Sequence, residues 1–262
     1  MKLTFLGTGA ADWTERDFTE GQEYRRWSSA LIDGSLLIDP GPHIYHFAEK
    51  NGTEDMFGGV KSIIVTHTHK DHFSSVTLRR LLSEADFRLY GDAACIRKLQ
   101  KDLTENEFSK IKFTEIAPLE NFVTEDGYSV LALPSNHGTG DPLEKTRHYI
   151  IEKDGKRLFY GPDGAWLMLP AWEKMRGKHF DAMILEATSG YIPGDDRIFS
   201  HNSIPMLEIM LQTFRAQGCL DENSRVWCSH MAKTLHPGQA MLERELIPLG
   251  ITPAYDGLSI EI

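Results

Sequence analysis

Short apolar runs, separated by polar or glycine-containing turns, recur along this chain and predict β-strands. Two pairs of these runs each flank an Asp-Gly dipeptide, which is typical of a tight hairpin. The first pair is Ser29–Ile32 with Leu36–Ile38 around Asp33-Gly34, and the second is Ile150-Ile151 with Leu158-Phe159 around Asp154-Gly155.

Apolar residues at helical spacing predict four helices, at Val76–Leu82, Ala93–Gln100, Ile204–Phe214 and Gln239–Ile247. Strands followed by helices, with hairpins among them, indicate an α/β fold in which two mixed sheets pack together with helices outside. The segment Gly138–Arg147 shows neither pattern and is the most loop-like long stretch. We interpret it either as a cover over a bound substrate or as a surface loop.

The densest concentration of reactive side chains directly follows the apolar run Ile63-Ile64-Val65. The segment Thr66-His67-Thr68-His69-Lys70-Asp71-His72 places three imidazoles and a carboxylate within six residues. Histidine nitrogens and carboxylate oxygens are the ligands that zinc and similar divalent metals prefer. A core histidine or a solvated loop would explain one such residue but not four at this spacing. The segment therefore predicts a metal site.

Three further candidate ligands, His137, Asp163 and His230, each follow a short apolar run where a strand would end. Loops at the strand ends of a rigid sheet are where α/β proteins place their active groups. Taken alone, Asp163 in Pro-Asp-Gly is typical of a turn, and a lone histidine is usually structural. Because residues from 67 to 230 must converge on one site, we expect a single domain over residues 1–262.

The order His-x-His-x-Asp-His, then His, Asp and His, resembles the metallo-β-lactamase superfamily of dinuclear metal hydrolases. The resemblance runs from Phe5–Gly9 to Tyr255–Leu258 and implies the four-layer αββα sandwich of that family, with metals at one edge of the sheets. The chain is most similar to the phosphodiesterase branch, which holds ribonuclease Z and the phosphoribosyl cyclic phosphodiesterase of the carbon–phosphorus lyase pathway. This branch is indicated by Gly7-Thr8-Gly9, by Leu185–Thr188, by His201 in Ser200–Ser203 and by the terminal Asp256-Gly257-Leu258.

The resemblance also implies how two divalent ions, zinc or manganese, would be held. His67, His69 and His137 would bind one ion, Asp71, His72 and His230 would bind the other, and Asp163 would bridge both. Such a bridge keeps two cations about 3.5–4 Å apart, and a water between them becomes the attacking hydroxide near neutral pH. Two ions, two aspartates and one hydroxide sum to a formal charge of about +4 −2 −1 = +1, which suits an anionic phosphodiester.

Catalysis is expected to involve Asp71 and His201. The resemblance gives His201 the role of general acid toward a leaving alkoxide; a second interpretation is that it caps the following helix. Asp39, in Ile38-Asp39-Pro40-Gly41, is interpreted either as orienting a ligand histidine or as a turn former. Lys233 and His236 are candidates for phosphate contact, or ordinary surface residues near the rim.

Charge narrows the choice of substrate. Lys and Arg number 28 against 38 Asp and Glu, so the net charge is −10. Surfaces that bind nucleic acid nonspecifically are basic, which disfavours a ribonuclease Z-like RNA endonuclease. We expect a small, possibly cyclic, phosphodiester substrate and no nucleic-acid partner. The ligand pattern is also compatible with a lactonase-type ester hydrolase and with a metal-binding member of the superfamily that has no hydrolytic turnover.

The remaining composition concerns location and assembly. No apolar run reaches the length of a membrane span, and the N-terminus lacks the pattern of a secretory signal. The three scattered cysteines indicate reduced thiols, so a cytoplasmic location without membrane contact is expected, and a homodimer is left open. Residues 8–30 contain no cysteine. The segment Ala10–Trp27 is therefore expected to fold without the structural zinc of the cyclic phosphodiesterase.

Overall fold

The computed structural model describes residues 1–14, 23–192 and 196–262. These residues form fourteen strands and seven α-helices. The strands are β1 (Lys2–Gly7), β2 (Ser29–Ile32), β3 (Leu36–Ile38), β4 (Ser62–Ile64), β5 (Arg88–Gly91), β6 (Lys112–Glu115), β7 (Asn121–Val123), β8 (Ser129–Pro134), β9 (Arg147–Lys153), β10 (Lys156–Gly161), β11 (Ala182–Glu186), β12 (Arg225–Ser229), β13 (Thr252–Pro253) and β14 (Ser259–Glu261). The helices are α1 (Ile44–Asn51), α2 (Ser75–Leu81), α3 (Ala93–Asp102), α4 (Glu105–Phe108), α5 (Leu169–Met175), α6 (Ile204–Ala216) and α7 (Gln239–Leu246).

Two seven-stranded sheets have the orders β14-β1-β2-β3-β4-β5-β6 and β13-β12-β11-β10-β9-β8-β7. In each sheet three neighbouring pairs are antiparallel and three are parallel. Strands β8, β10, β11 and β12 run in the same direction, so their carboxyl ends lie at one edge of the second sheet. The two mixed sheets confirm the predicted αββα fold.

Burial on both faces of the sheets explains why the strands read as nearly continuous apolar runs. In β8, Val130 and Ala132 belong to a core that also contains residues of the first sheet, such as Ile38. Leu131 and Leu133 point the other way and pack with residues of α5 and α6. A third cluster lies between the first sheet and helices α1 to α3. Three cores separate four layers, as a sandwich with outer helices requires.

Both predicted hairpins and all four predicted helices are confirmed, with helix ends differing from the predicted ones by at most two residues. At each hairpin tip the Asp and the Gly both have positive φ, with 49° and 69° at Asp33-Gly34 and 51° and 76° at Asp154-Gly155. A turn with both central residues in this region matches the right-handed twist of the paired strands. That is the physical reason the Asp-Gly signal located them.

Helices α1, α4 and α5 were not predicted from the sequence. Helix α4 has only four residues, and neither α1 nor α5 has a side-chain hydrogen bond at its N-cap. No helix among the described residues is long and apolar enough to cross a membrane. Of the segment expected to fold without a structural zinc, residues 15–22 lie outside the described residues, so this expectation stays a prediction.

Candidate metal centre

The candidate ligands meet at the edge where strands of both sheets end. The turn that carries His67, His69, Asp71 and His72 follows β4 of the first sheet. The other three candidates follow strands of the second sheet: His137 comes after β8, Asp163 after β10 and His230 after β12. The structure thus brings together all seven residues that the sequence singled out as ligands.

The first site is formed by His67, His69, His137 and Asp163. His69 Nδ1 lies 3.0 Å from His67 Nε2 and 3.1 Å from His137 Nε2. His67 Nε2 lies 3.2 Å from Asp163 Oδ2. Nitrogen ligands at 2.0–2.1 Å around a tetrahedral zinc would be about 3.3 Å apart. The spacing therefore suits one shared cation.

The second site is formed by Asp71, His72, His230 and the same Asp163. His72 Nε2 and His230 Nε2 lie 3.2 Å apart, and each is 3.5 Å from Asp71 Oδ2. Asp163 Oδ2 lies 3.5 Å from His72 Nε2 and 3.6 Å from His230 Nε2. Since Asp163 Oδ2 faces both groups of histidines, its carboxylate stands where a bridging ligand would.

Two buried atoms show that these residues fit a cation. His137 Nδ1 and Asp163 Oδ1 lie 3.1 Å apart, yet neither has a hydrogen-bond partner. Buried polar atoms without partners are rare in folded proteins and require a ligand, a water or an ion. Burial raises the pKa of Asp163, but His230 and His137 beside it outweigh burial and hold that pKa well below its usual range. An ionised carboxylate among imidazoles is the donor set that divalent transition metals prefer.

Asp39 holds histidines of both sites in one protonation state. Its Oδ2 lies 2.8 Å from His72 Nδ1 and also accepts a hydrogen bond of 2.8 Å from Thr66 Oγ1. Because the Thr66 hydroxyl donates its hydrogen to Asp39, its oxygen accepts the hydrogen bond of 3.0 Å from His67 Nδ1. Both rings then carry their proton on Nδ1, which leaves the Nε2 lone pairs for metal.

His230 is held by Thr188 in the same way. Thr188 Oγ1 donates to the His230 carbonyl oxygen at 2.8 Å, so it accepts from His230 Nδ1, which also lies at 2.8 Å. His230 therefore also presents an unprotonated Nε2 to the second site.

His201 stands beside the bridging carboxylate, with its Nδ1 3.0 Å from Asp163 Oδ1 and 3.3 Å from Glu186 Oε1. Burial lowers the pKa of His201, but the adjacent carboxylates of Asp163 and Glu186 outweigh burial and raise it to about 10. His201 does not cap α6, because that helix begins at Ile204 after the N-cap residue Ser203.

Glu186 is the main residue that reasoning from the sequence missed. It is fully buried at the end of β11 and accepts hydrogen bonds from the backbone N–H groups of Gly164, Thr188 and Asn202 at 3.2, 2.7 and 2.8 Å. It thereby ties together the loops that carry Asp163 and His201. Glu186 directly follows an apolar run, and the same signal had identified the other candidates.

A cavity of about 280 Å³ opens onto both sites. His201, Arg197, Asp12, Thr188 and Thr234 line it beside the candidate ligands. Arg197 lies in the 3₁₀ turn Asp196–Phe199, and its carbonyl oxygen accepts a hydrogen bond of 2.6 Å from His201 N. The cavity therefore places His201 and Arg197 beside both groups of candidate metal ligands.

Lys233 and His236 do not line this cavity; they line a smaller neighbouring one of about 120 Å³. Lys233 lies over the Trp13 ring, with Nζ 6.0 Å from its centroid. His236 Nε2 donates to the Ala187 carbonyl oxygen at 2.6 Å, and burial lowers the pKa of His236 to about 4. No residue of the loop 138–146 lines the metal cavity either.

Comparison with known proteins agrees with the fold. A family model described as the beta-lactamase superfamily domain matches residues 35–231, which is most of the chain. The protein therefore belongs to the metallo-β-lactamase superfamily. No curated protein sequence matches it.

Similar solved structures include YhfI from Bacillus subtilis, a metallo-β-lactamase fold protein, with a TM-score of 0.70 at 14% identity, covering 100% of this chain and 99% of that chain. Zn²⁺-bound PqqB from Methylobacterium extorquens has a TM-score of 0.68 at 18% identity, with 100% of each chain covered. The short form of human tRNase Z has a TM-score of 0.64 at 18% identity, covering 100% of this chain and 99% of that chain. At these identities the likeness concerns the fold.

Proposed function

We propose that this protein is a dinuclear metal-dependent hydrolase that cleaves a small, anionic phosphodiester. The observation that carries the proposal is the pair of adjacent sites that share Asp163, set in one cavity with His201 and Arg197. When bound there, two divalent ions (zinc or manganese) supply an activated water and Lewis acidity toward a phosphoryl oxygen. The chain's own residues supply orientation, charge and a proton.

His201 is the proposed proton donor. Its Nδ1 lies 3.0 Å from Asp163 Oδ1 and 3.3 Å from Glu186 Oε1, and these two carboxylates favour the protonated ring, whose second N–H can serve a leaving oxygen. A departing alkoxide is strongly basic, and a positioned acid speeds its departure by about 10²–10⁴-fold. An ester with a good leaving group would gain less from such a donor.

Arg197 supports an anionic substrate. Guanidinium groups match the geometry of phosphate oxygens, and Arg197 lines the cavity near His201. The whole chain has an excess of acidic residues, with a net charge of −10. This combination favours a small phosphodiester over a long RNA, whose affinity would depend on an extended basic surface.

Hydrolysis by metal-free and reconstituted protein tests the proposal. The substrates are bis(p-nitrophenyl) phosphate, a cyclic phosphodiester, a lactone and a short RNA, each offered to chelator-treated protein before and after reloading with Zn²⁺ or Mn²⁺. We expect turnover of the two small diesters only after reloading. Metal-independent turnover, or hydrolysis confined to the lactone or the RNA, would contradict the proposal.

A further inference from the structure

Thr68, which lies between His67 and His69, is held by three hydrogen bonds, two to its backbone and one to its side chain. Glu144 Oε1 accepts a hydrogen bond of 2.7 Å from Thr68 N, and Glu144 Oε2 accepts one of 2.8 Å from Thr68 Oγ1. Lys98 Nζ donates to the Thr68 carbonyl oxygen at 2.9 Å. Glu144 is only 7% exposed, so water competes little for these bonds.

Glu144 belongs to the loop that begins directly after another candidate ligand, His137. Thr146 Oγ1 donates to the His137 carbonyl oxygen at 2.8 Å, which fixes the other end of the loop to that residue. Outside the site, Asp141 of the loop forms a surface ion pair of 2.7 Å with Arg97. The loop therefore links the backbone of His137 to the turn that carries His67 and His69, through the bonds between Glu144 and Thr68.

His69 is one of two ligand histidines, with His137, whose ring has no hydrogen bond outside the ligand set among the described residues. The rings of His67, His72 and His230 each use Nδ1 to reach a partner outside the metal-ligand set. The Nδ1 of His69 faces His67 and His137 instead, and within the described parts of the chain its ring has no hydrogen bond to a group beyond the ligands. Its position therefore depends on the backbone, which Glu144 and Lys98 hold through Thr68.

We propose that Glu144 is a positioning residue for the first metal site alone. The second site has its own supports, because Asp39 holds His72 and Thr188 holds His230, without any bond to Thr68. Loss of an outer partner of a metal ligand typically lowers metal affinity by about 10–100-fold. A Glu144→Ala variant should lose that factor at the first site and keep the affinity of the second.

Zn²⁺ affinity, measured by competition with a chromophoric chelator in two backgrounds, separates the sites. His230→Ala removes a ligand of the second site only, and His137→Ala removes a ligand of the first site only. Adding Glu144→Ala should weaken binding by about 10–100-fold in the His230→Ala background and leave it unchanged in the His137→Ala background. Glu144→Gln should retain affinity, because its amide oxygen can accept from Thr68 N while its NH₂ donates to Thr68 Oγ1.

Asp141→Ala is the matched control, since it removes a surface anchor of the same loop without touching Thr68. If Asp141→Ala weakens metal binding at the first site as much as Glu144→Ala does, general loosening of the loop is responsible and the positioning role of Glu144 is refuted. Equal losses in both backgrounds, or no loss in either, would overturn the proposal as well. A parent chain that binds no Zn²⁺ would instead contradict both the proposed function and the positioning role of Glu144. Thermal melting of each variant shows whether it remains folded.

Discussion

Asp39 and His72 form a fully buried pair in which the carboxylate oxygen Oδ2 lies 2.8 Å from the imidazole Nδ1. The same carboxylate reaches His67 of the other site through Thr66. One aspartate outside the ligand set therefore fixes the ring orientation of a histidine in each site. Asp39 has a φ of 56°, an uncommon backbone conformation that Asp and Asn tolerate better than most residues.

An Asp39→Asn variant should bind both metal ions more weakly, by about 10–100-fold each, because its amide has one acceptor oxygen and cannot accept from Thr66 N on one side and from Thr66 Oγ1 and His72 Nδ1 on the other. Stepwise titration of the metal-free variant with Zn²⁺ checks this. Asp154→Asn is the matched control, since Asp154 has a similar φ of 51° at the distant β9–β10 hairpin. Weakening of only one site would contradict the shared role of Asp39.

Replacing His201 by Ala should leave both ions bound but slow the hydrolysis of a diester with an alkoxide leaving group by about 10²–10⁴-fold. A p-nitrophenolate departs without a proton, so hydrolysis of its diester should fall far less. Rates on the two substrates, together with elemental analysis of the variant, make the comparison. If both rates fell equally, or an equivalent of metal were lost, His201 would be a ligand or a structural residue.

An Arg197→Gln variant should raise KM for an anionic diester by about tenfold, with a smaller change in kcat, because the proposed contact between Arg197 and a phosphate oxygen would be lost. Initial-rate kinetics at several substrate concentrations provide the measurement. Arg225→Gln, at the exposed start of β12, removes the same charge away from the cavity. A similar rise in KM in that control would show that net charge, and not Arg197 itself, is responsible.

The pH dependence of stability should report on His43, which is buried and stacked on Trp27 with ring centroids 4.4 Å apart. Burial, with help from His46 and Arg26, lowers the pKa of His43 from 6.5 to about 4. The unfolded chain takes up a proton at this group first, so its contribution is present above pH 6.5 and is lost as the pH falls toward 4. The loss amounts to roughly 2–3 kcal/mol.

His43→Gln should flatten the dependence of the unfolding free energy on pH between these limits, as measured by denaturant titration. His179→Gln, which removes a half-exposed histidine paired with Asp221 at the surface, is the control for losing a histidine elsewhere in the chain. Because both variants keep the candidate ligands, titration of the metal sites affects them equally. An unaltered slope in His43→Gln would show that His43 takes up protons equally in the folded and unfolded chain.

The positions of the candidate ligands were predictable because a strand end leaves a local signature, an apolar run followed by a polar residue with metal-binding atoms. His137, Asp163 and His230 carry it, and the fold then brings them together. Residues that act on the ligands from outside carry no such signature. Glu144 lies seven residues after His137 in a loop without a pattern, and only the folded chain shows that it contacts Thr68.

Helices showed the same limit. Helix α6 was predictable because its apolar residues recur over thirteen residues. Helices α1 and α5 have only eight and seven residues, and neither begins with the side-chain cap that marks the start of α2, a helix of similar length. Packing against the sheets stabilises them, and packing is not visible in a short segment of sequence.

Each candidate site takes its ligands from both sheets, with consequences beyond catalysis. His67 and His69 follow a strand of one sheet and His137 follows a strand of the other; Asp71 and His72 are likewise matched with His230. An ion held in either site would cross-link the two sheets of the sandwich. At a free metal concentration about 100 times the Kd, each bound ion would add about 2.7 kcal/mol to the free energy of unfolding. The melting temperature of this protein would then rise with the amount of metal it binds.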